Sequence, residues 1–266
     1  MSPALCCGMY LQAFWTVHPY ASSDIVVQRL RILAPGYAPN TDGVDPDSCS
    51  NVLIQDCYFS LGDDGVAIKS GLNEYGREFG MPSQNILIRN ITVDPQFDNL
   101  STNGISIGSE MSGGVRNVTV QGVRVIGCEA GMYIKSMEGR GGVVEDIHFS
   151  DVYLNRTLQA IKIVMNYGYR RQLGEEKSDS TSGVDAGLGL GSGDDYFPVF
   201  RNIHVRNVVG ELCAQAGMIV GLPESHMDNI TLTNVTIGSK LGFHCDQVSG
   251  SYTDVSPSMR RCFDYR

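Results

Sequence analysis

Two short motifs place three aspartates within two residues before a glycine. The motif NTDG puts Asp42 before Gly43, and the motif LGDDG puts Asp63 and Asp64 before Gly65. Carboxyl groups that are crowded together raise one another's pKa, which keeps a proton on at least one of them near neutral or mildly acidic pH. Hydrolysis of a glycosidic bond requires such a pair, because one carboxyl donates a proton to the leaving oxygen while another activates water.

An aspartate before a glycine is also ordinary turn chemistry. Asp45 and Asp47, which follow the first motif, are interpreted as turn residues. A turn does not call for consecutive acids beside another acid, so Asp42, Asp63 and Asp64 are predicted to be catalytic. The glycines of the two motifs are 22 residues apart, about one short coil of a repeating fold, and such a coil would bring Asp42 beside Asp64.

The elements that must position these acids form an internal repeat. A phrase that begins with Asn or Asp and continues with alternating apolar residues recurs at intervals of 27, 34, 32, 29, 56 and 27 residues. Its copies begin at Asp24, Asn51, Asn85, Asn117, Asp146, Asn202 and Asn229. A second phrase, a small residue followed by a short strand, begins at Gly65, Gly104, Gly131, Ala160 and Gly217. Two strands per repeat without a helical period predict an all-β solenoid, a right-handed single-stranded parallel β-helix, in preference to a β-propeller.

Strand alternation sorts the second phrase into two faces. Counted from the small residue, odd positions such as Val66 and Ile68 are predicted to enter the core. Even positions are predicted to form an outward surface that carries Lys69, Tyr133, Lys135 and Lys162. Asn103 is predicted one coil beyond Asp64 at the same position. Strict alternation would aim Asp42 and Asp64 inward, so the backbone is expected to bend there.

Composition limits the partners of the chain. It has 266 residues, with 20 Lys and Arg against 29 Asp and Glu, and a formal charge of −9. A pI near 5.0 argues against a nucleic-acid partner, and the sequence contains no apolar run long enough for a membrane span. The cysteines lack zinc-site spacing, so no metal and no cofactor are predicted. Residues 1–266 are interpreted as one β-helix domain, with a surface loop inserted at 167–196.

Together the motifs resemble glycoside hydrolase family 28, the polygalacturonases. The resemblance rests on NTDG, GDDG, GISIGS from Gly104 and YIKSMEGRGG from Tyr133, together with WTVHP from Trp15 and GFHCDQVSG from Gly242, and so covers almost the whole chain. It implies a right-handed parallel β-helix that hydrolyses α-1,4 linkages of galacturonans with inversion and without a metal. By resemblance Asp63 is the general acid, Asp42 and Asp64 hold and activate water, and Lys135 binds a substrate carboxylate.

The same resemblance implies a setting for the protein. A secreted or cell-wall location, a pectic oligo- or polysaccharide as the partner, and a monomer when the helix is capped are expected. The chain is interpreted as lacking the N-terminal coils and cap of the family. Cys245 and Cys262 are expected to form a disulfide by resemblance, and Cys49 with Cys57 is a weaker pair.

Three departures from the family pattern concern the substrate. The family's Gly-His-Gly is Thr102-Asn103-Gly104, its Arg-Ile-Lys is Tyr133-Ile134-Lys135, and its sugar-stacking aromatic falls at Gln159. These changes leave the acids in place but remove a titratable histidine and a bidentate arginine, which argues against simple polygalacturonate cleavage. The residues predicted to bind substrate are therefore Lys135, Asn103, Tyr133, Lys162 and Arg140, with Lys162 partly replacing the lost positive charge.

Two other functions stay open at this point. A pectate lyase would use calcium among Asp42, Asp63 and Asp64 for elimination. A β-helix that had lost its activity with the histidine and arginine would instead bind cell-wall polysaccharide.

Overall fold

All paired strands among the described residues run parallel to their neighbours. The computed structural model describes residues 7–10, 14–95, 101–168 and 196–263. Its strands are β1 Cys7–Tyr10, β2 Ser23–Gln28, β3 Leu30–Leu33, β4 Ser50–Ser60, β5 Asp64–Ile68, β6 Ser83–Val93, β7 Asn103–Ile107, β8 Val115–Ile126, β9 Ala130–Lys135, β10 Val143–Asn155, β11 Gln159–Val164, β12 Val199–Val220, β13 Met227–Asp246 and β14 Val248–Ser256. Two short helices, α1 Asn73–Phe79 and α2 Arg260–Phe263, complete the fold. No helix in these ranges is long and apolar enough to cross a membrane.

The strands stack in two rows that meet on β12. One row runs β4, β6, β8, β10 and the other β5, β7, β9, β11. The first part of β12 pairs with β10 and its last part with β11, so a single long strand joins both faces. The result is the right-handed parallel β-helix that the repeats predicted.

The recurrent Asn and Asp have a backbone cause. The first residue of each copy of the first phrase has a positive φ, between 52° at Asn117 and 59° at Asp24. Asn and Asp tolerate this left-handed conformation better than other residues with a side chain. Their side chains also bond from coil to coil: the Asn85 amide donates to Asn51 at 3.1 Å and the Asn117 amide donates to Asn85 at 2.8 Å. The repeat therefore marks the corners of the helix.

The core fills the space between the rows. The odd positions of the second phrase, including Val66, Ile105 and Ile161, are buried in one hydrophobic cluster, as predicted. The even positions do not form the open surface that was predicted. Ala67, Ser106 and Tyr133 are buried as well, because other parts of the chain lie over this row.

Of the two disulfides that the sequence predicted, one is present and the other is absent. Cys245 and Cys262 form a disulfide, which joins β13 to α2. The weaker pairing is wrong, since Cys49 and Cys57 are buried and no disulfide joins them. The predicted loop at 167–196 lies almost entirely outside the described residues.

The close approach of Gly65 to the neighbouring coil predicts that a side chain at this position destabilises the fold. A Cβ at Gly65 would lie 2.6 Å from both the Gly104 oxygen and Val93 Cγ2, inside the core. We expect Gly65→Ala to lower the free energy of unfolding by about 1–3 kcal/mol through overpacking, measured by urea titration. Gly238→Ala is the control, because its nearest neighbour is the Gly210 oxygen at 3.5 Å. Equal stability of the two variants would contradict the close-packing argument.

Candidate active site

The bend expected at the acids is produced by the glycines that follow them. A side chain at Gly43 or Gly65 would point into the core, against Phe59 in the first case and Val93 in the second. The preceding residue therefore points out of the helix, and Asp64 contacts Asn103 and Lys135 there. Alternation is broken at the glycine, so that Asp64 emerges outward while Val66 remains in the core.

Coil stacking brings the predicted acids together. The Gly43 N–H donates to the Asp64 carbonyl oxygen at 2.9 Å, and Val44 pairs with Val66. The short coil between the motifs therefore sets Asp42 directly beside Asp64. One carboxylate oxygen from each of Asp42, Asp63 and Asp64 lies within 4.8 Å of the other two.

Asp64 is held on both oxygens. The Asn103 amide donates to Oδ1 at 2.7 Å, and Lys135 Nζ forms a salt bridge to Oδ2 at 3.0 Å. The Asn103 oxygen in turn accepts from the Ala130 N–H at 3.1 Å. Asn103, predicted to bind substrate, thus orients Asp64 in this structure, and its contact with substrate stays a prediction.

Asp63 has the environment of a proton donor. Burial, and next the charge of Asp64, raise its pKa to about 6, although Lys135 and Lys69 oppose the shift. One of its oxygens accepts the Asp64 N–H at 2.9 Å. A carboxyl with a pKa near 6 retains its proton in mildly acidic solution, as a general acid must.

Asp45 is the unexpected member of the site. It was interpreted as a turn residue, but it is completely buried, and neither of its oxygens has a hydrogen-bond partner besides the facing carboxyl of Asp42. Burial raises the pKa of Asp45 to about 8 despite the opposing charge of Lys69. Burial also raises the pKa of Asp42, and the neighbouring acids, Asp45 foremost, raise it further. Burial and the neighbouring acids favour the neutral form of each carboxyl, so this pair retains a proton in neutral solution.

Asp47 was also interpreted as a turn residue, which stays a prediction, since its carboxylate contacts neighbouring coils. Its Oδ1 accepts the Gly71 N–H at 3.1 Å, and its Oδ2 lies 3.3 Å from His18 Nε2. Alternation does not separate the two acids. Val44 pairs with Val66 and Asp47 with Lys69, so Asp45 lies level with Ala67 and both acids occupy even positions of the row.

The predicted basic row is present but is paired within the protein. Lys69 Nζ lies 3.1 Å from Glu110 and 4.3 Å from the centre of the Trp15 ring. Lys162 Nζ lies 2.8 Å from Glu129, an acid that the sequence interpretation overlooked. Glu129 stands two residues before Gly131, as Asp63 stands two residues before Gly65, and this equivalence was the available signal.

Two further residues predicted to bind substrate face the protein. Arg140 is buried, with its guanidinium 3.3 Å from Asn73 and 3.4 Å from Ser109. Tyr133 is buried beneath the edge of the Tyr167 ring. Their contact with substrate stays a prediction.

The carboxylates are spaced closely enough for a cation, but their surroundings suit protons better. Calcium takes six to eight oxygen ligands. Here Lys135 already occupies one oxygen of Asp64, and the positive charge of Lys69 also acts on Asp42 and Asp45, where it opposes the rise of their pKa values. A divalent cation would be repelled by both ammonium groups, which argues against the calcium-dependent lyase.

Residues 12–256 match the sequence pattern described as glycosyl hydrolases family 28. The chain belongs to this family. It is 36% identical over 249 residues to a probable polygalacturonase of Vitis vinifera, which covers 92% of this chain and 46% of that protein. It is 36% identical over 151 residues to an endo-polygalacturonase of Pectobacterium carotovorum, which covers 56% of this chain and 33% of that protein.

The fold agrees with that of a solved relative. A hyperthermoactive exopolygalacturonase from Thermotoga maritima superposes with a TM-score of 0.71 at 30% identity, over 88% of this chain and 47% of that one. The resemblance predicted from the motifs is confirmed. The chain spans about half the length of the Vitis and Thermotoga proteins.

The proton held by Asp45 predicts how stability depends on pH. The unfolded chain releases this proton near the ordinary aspartate pKa of 3.8 and the folded chain near a pKa of about 8, so the folded state binds the extra proton between these values. The free energy of unfolding therefore falls as pH rises from about 4 to 8. We expect Asp45→Asn to make this slope shallower in denaturant titrations at a series of pH values. An unchanged slope in Asp45→Asn would show that Asp45 does not hold the proton.

Proposed function

We propose that this chain carries the catalytic acids of a pectin-degrading glycoside hydrolase. The observation that carries the proposal is the cluster of Asp42, Asp63 and Asp64, whose environments differ enough to divide the roles of acid and base. Membership of family 28 and the similarity to polygalacturonases supply the substrate class.

In the proposed reaction Asp63 donates its proton to the glycosidic oxygen as the bond to the leaving sugar breaks. A water molecule is held between Asp64, which Asn103 and Lys135 orient, and Asp42 beside it. As this water attacks the anomeric carbon, the ionised Asp64 accepts its proton. In a site that largely excludes solvent, carboxylates stabilise the charge that develops at the sugar ring in the transition state.

The stereochemical outcome is a separate question. The family resemblance implies inversion, while oxygens within 4.8 Å of one another are closer than the roughly 6.5–9.5 Å usual between the carboxyls of inverting glycosidases. Inversion stays a prediction, and proton NMR of the anomer that is released first would test it.

We also place the protein outside the cytosol in this proposal. The disulfide between Cys245 and Cys262 supports a secretory route, because disulfides persist in oxidising compartments. A pectic substrate in the cell wall requires the same location.

Replacement of the acid tests the mechanism. Because positioned general acids contribute about 10²- to 10⁴-fold, we expect Asp63→Asn to lower kcat by that factor in reducing-sugar assays on pectic oligosaccharides. Asp254→Asn is the control: it lies at an exposed position of β14 with φ of 54°, which Asn tolerates equally well. Full activity of Asp63→Asn would exclude Asp63 as the acid, and a wild type that binds but never cleaves would favour the polysaccharide-binding alternative.

The pH dependence gives an independent test. Asp63 must be protonated to act, and its pKa is about 6. We expect kcat/KM to fall as pH rises above about 6, measured over pH 4 to 9 at constant ionic strength. A profile that still rises at pH 8 would contradict the assignment of the acid.

A further inference from the structure

The coil register places a further group of polar residues two coils along the strand row from the acids. Asp64 pairs with Asn103 and Asn103 with Ala130, so Glu129, which precedes Ala130, lies two coils from the catalytic doublet. Lys162 pairs with Tyr133 in the same row. Coils stack about 4.8 Å apart, which puts Glu129 about 10 Å from Asp63 along the helix. A saccharide bound across the acids would extend over this position.

The positive charge at this position is neutralised by the chain itself. Lys162 Nζ lies 2.8 Å from Glu129 Oε1 and 4.4 Å from the centre of the Tyr133 ring. The Lys162 side chain is 15% exposed and that of Glu129 is 34% exposed, so the pair sits at the surface of the cleft, where a ligand can reach it. Lys135, on the other side of Tyr133, is already paired with Asp64.

This arrangement disfavours a carboxylate on the ligand. A free carboxylate that approached Lys162 would either displace Glu129 or lie within a few ångströms of it, and repulsion between like charges at that distance is enough to weaken binding about tenfold or more. A hydroxyl faces no such penalty, because it can donate to Glu129 and accept from Lys162 at the same time. The salt bridge is thus complementary to an uncharged polar group.

We propose that the sugar bound over Glu129, Lys162 and Tyr133 carries no free carboxylate. It is either a neutral sugar or a uronate whose carboxylate is esterified, and both present only uncharged oxygens to the salt bridge. This inference rests on the proposed function and names the substrate of the same site.

Three matched oligosaccharides test the preference: a de-esterified galacturonan, its methyl-esterified form, and a chain in which galacturonate alternates with a neutral sugar. We expect the full chain to bind at least one of the two oligosaccharides that can present an uncharged sugar about tenfold more tightly than the de-esterified one in calorimetric titrations. The methyl-esterified and the alternating chain distinguish the two sources of an uncharged group. Tightest binding of the de-esterified chain, or no binding of any of the three, would overturn the inference.

Removal of the acid should reverse the preference. Glu129→Gln keeps the shape of the side chain and frees Lys162, so we expect KM for the de-esterified chain to fall about five- to fiftyfold with little change in kcat. Adding Lys162→Met to this variant should abolish the gain. Glu145→Gln, which breaks the salt bridge to Arg201 on another face of the helix, is the control and should leave the preference unchanged. No gain in Glu129→Gln would overturn the proposed role of the salt bridge.

The two proposals fail in different ways. If no substrate is hydrolysed, the proposed function fails, while the calorimetric ranking still decides whether the site prefers an uncharged sugar. If the de-esterified chain is both bound and hydrolysed best, the proposed function stands and this inference fails.

Discussion

The stacking of Gly43 on Gly65 is the constraint on which the site depends. Both glycines face the core at points where a side chain would collide with neighbouring coils. The chain can therefore turn there without carrying a side chain inward, and the aspartate before each glycine is directed out of the helix. The main-chain hydrogen bond from Gly43 to Asp64 then fixes the separation of the acids. A scaffold of parallel strands holds these groups more rigidly than loops alone would.

Burial then divides acids of the same chemical type into different roles. Asp64 is compensated by Lys135 and Asn103, whereas Asp45 and Asp42 face each other with little compensation and retain a proton between them. Asp63 has a pKa of about 6. Hydrophobic packing of the coil thus governs proton affinity, because desolvation is the largest cause of the shift at Asp42, Asp45 and Asp63.

The same packing determines which acids the lysines of the site contact. Lys69, Lys135 and Lys162 are each paired with a carboxylate of the chain, so they orient acids and shape the cleft. Glu110 illustrates the strength of this coupling: although burial alone would raise its pKa, the charge of Lys69 lowers it to about 2. A site whose lysines are already paired with acids of the chain accepts different substrates from a site whose lysines are unpaired.

The sequence alone determined the β-helix, the corners marked by Asn and Asp, and the neighbourhood of Asp42 and Asp64, because these follow from a repeat period and from local backbone preferences. It did not determine which charges are paired. The partners of Lys135, Lys69 and Lys162 are 71, 41 and 33 residues away, and their contact depends on how coils and covering segments pack. The burial of Asp45 was decided in the same way. Proton affinity and ion pairing depend on solvent exclusion and on distances in space, which only the assembled helix provides.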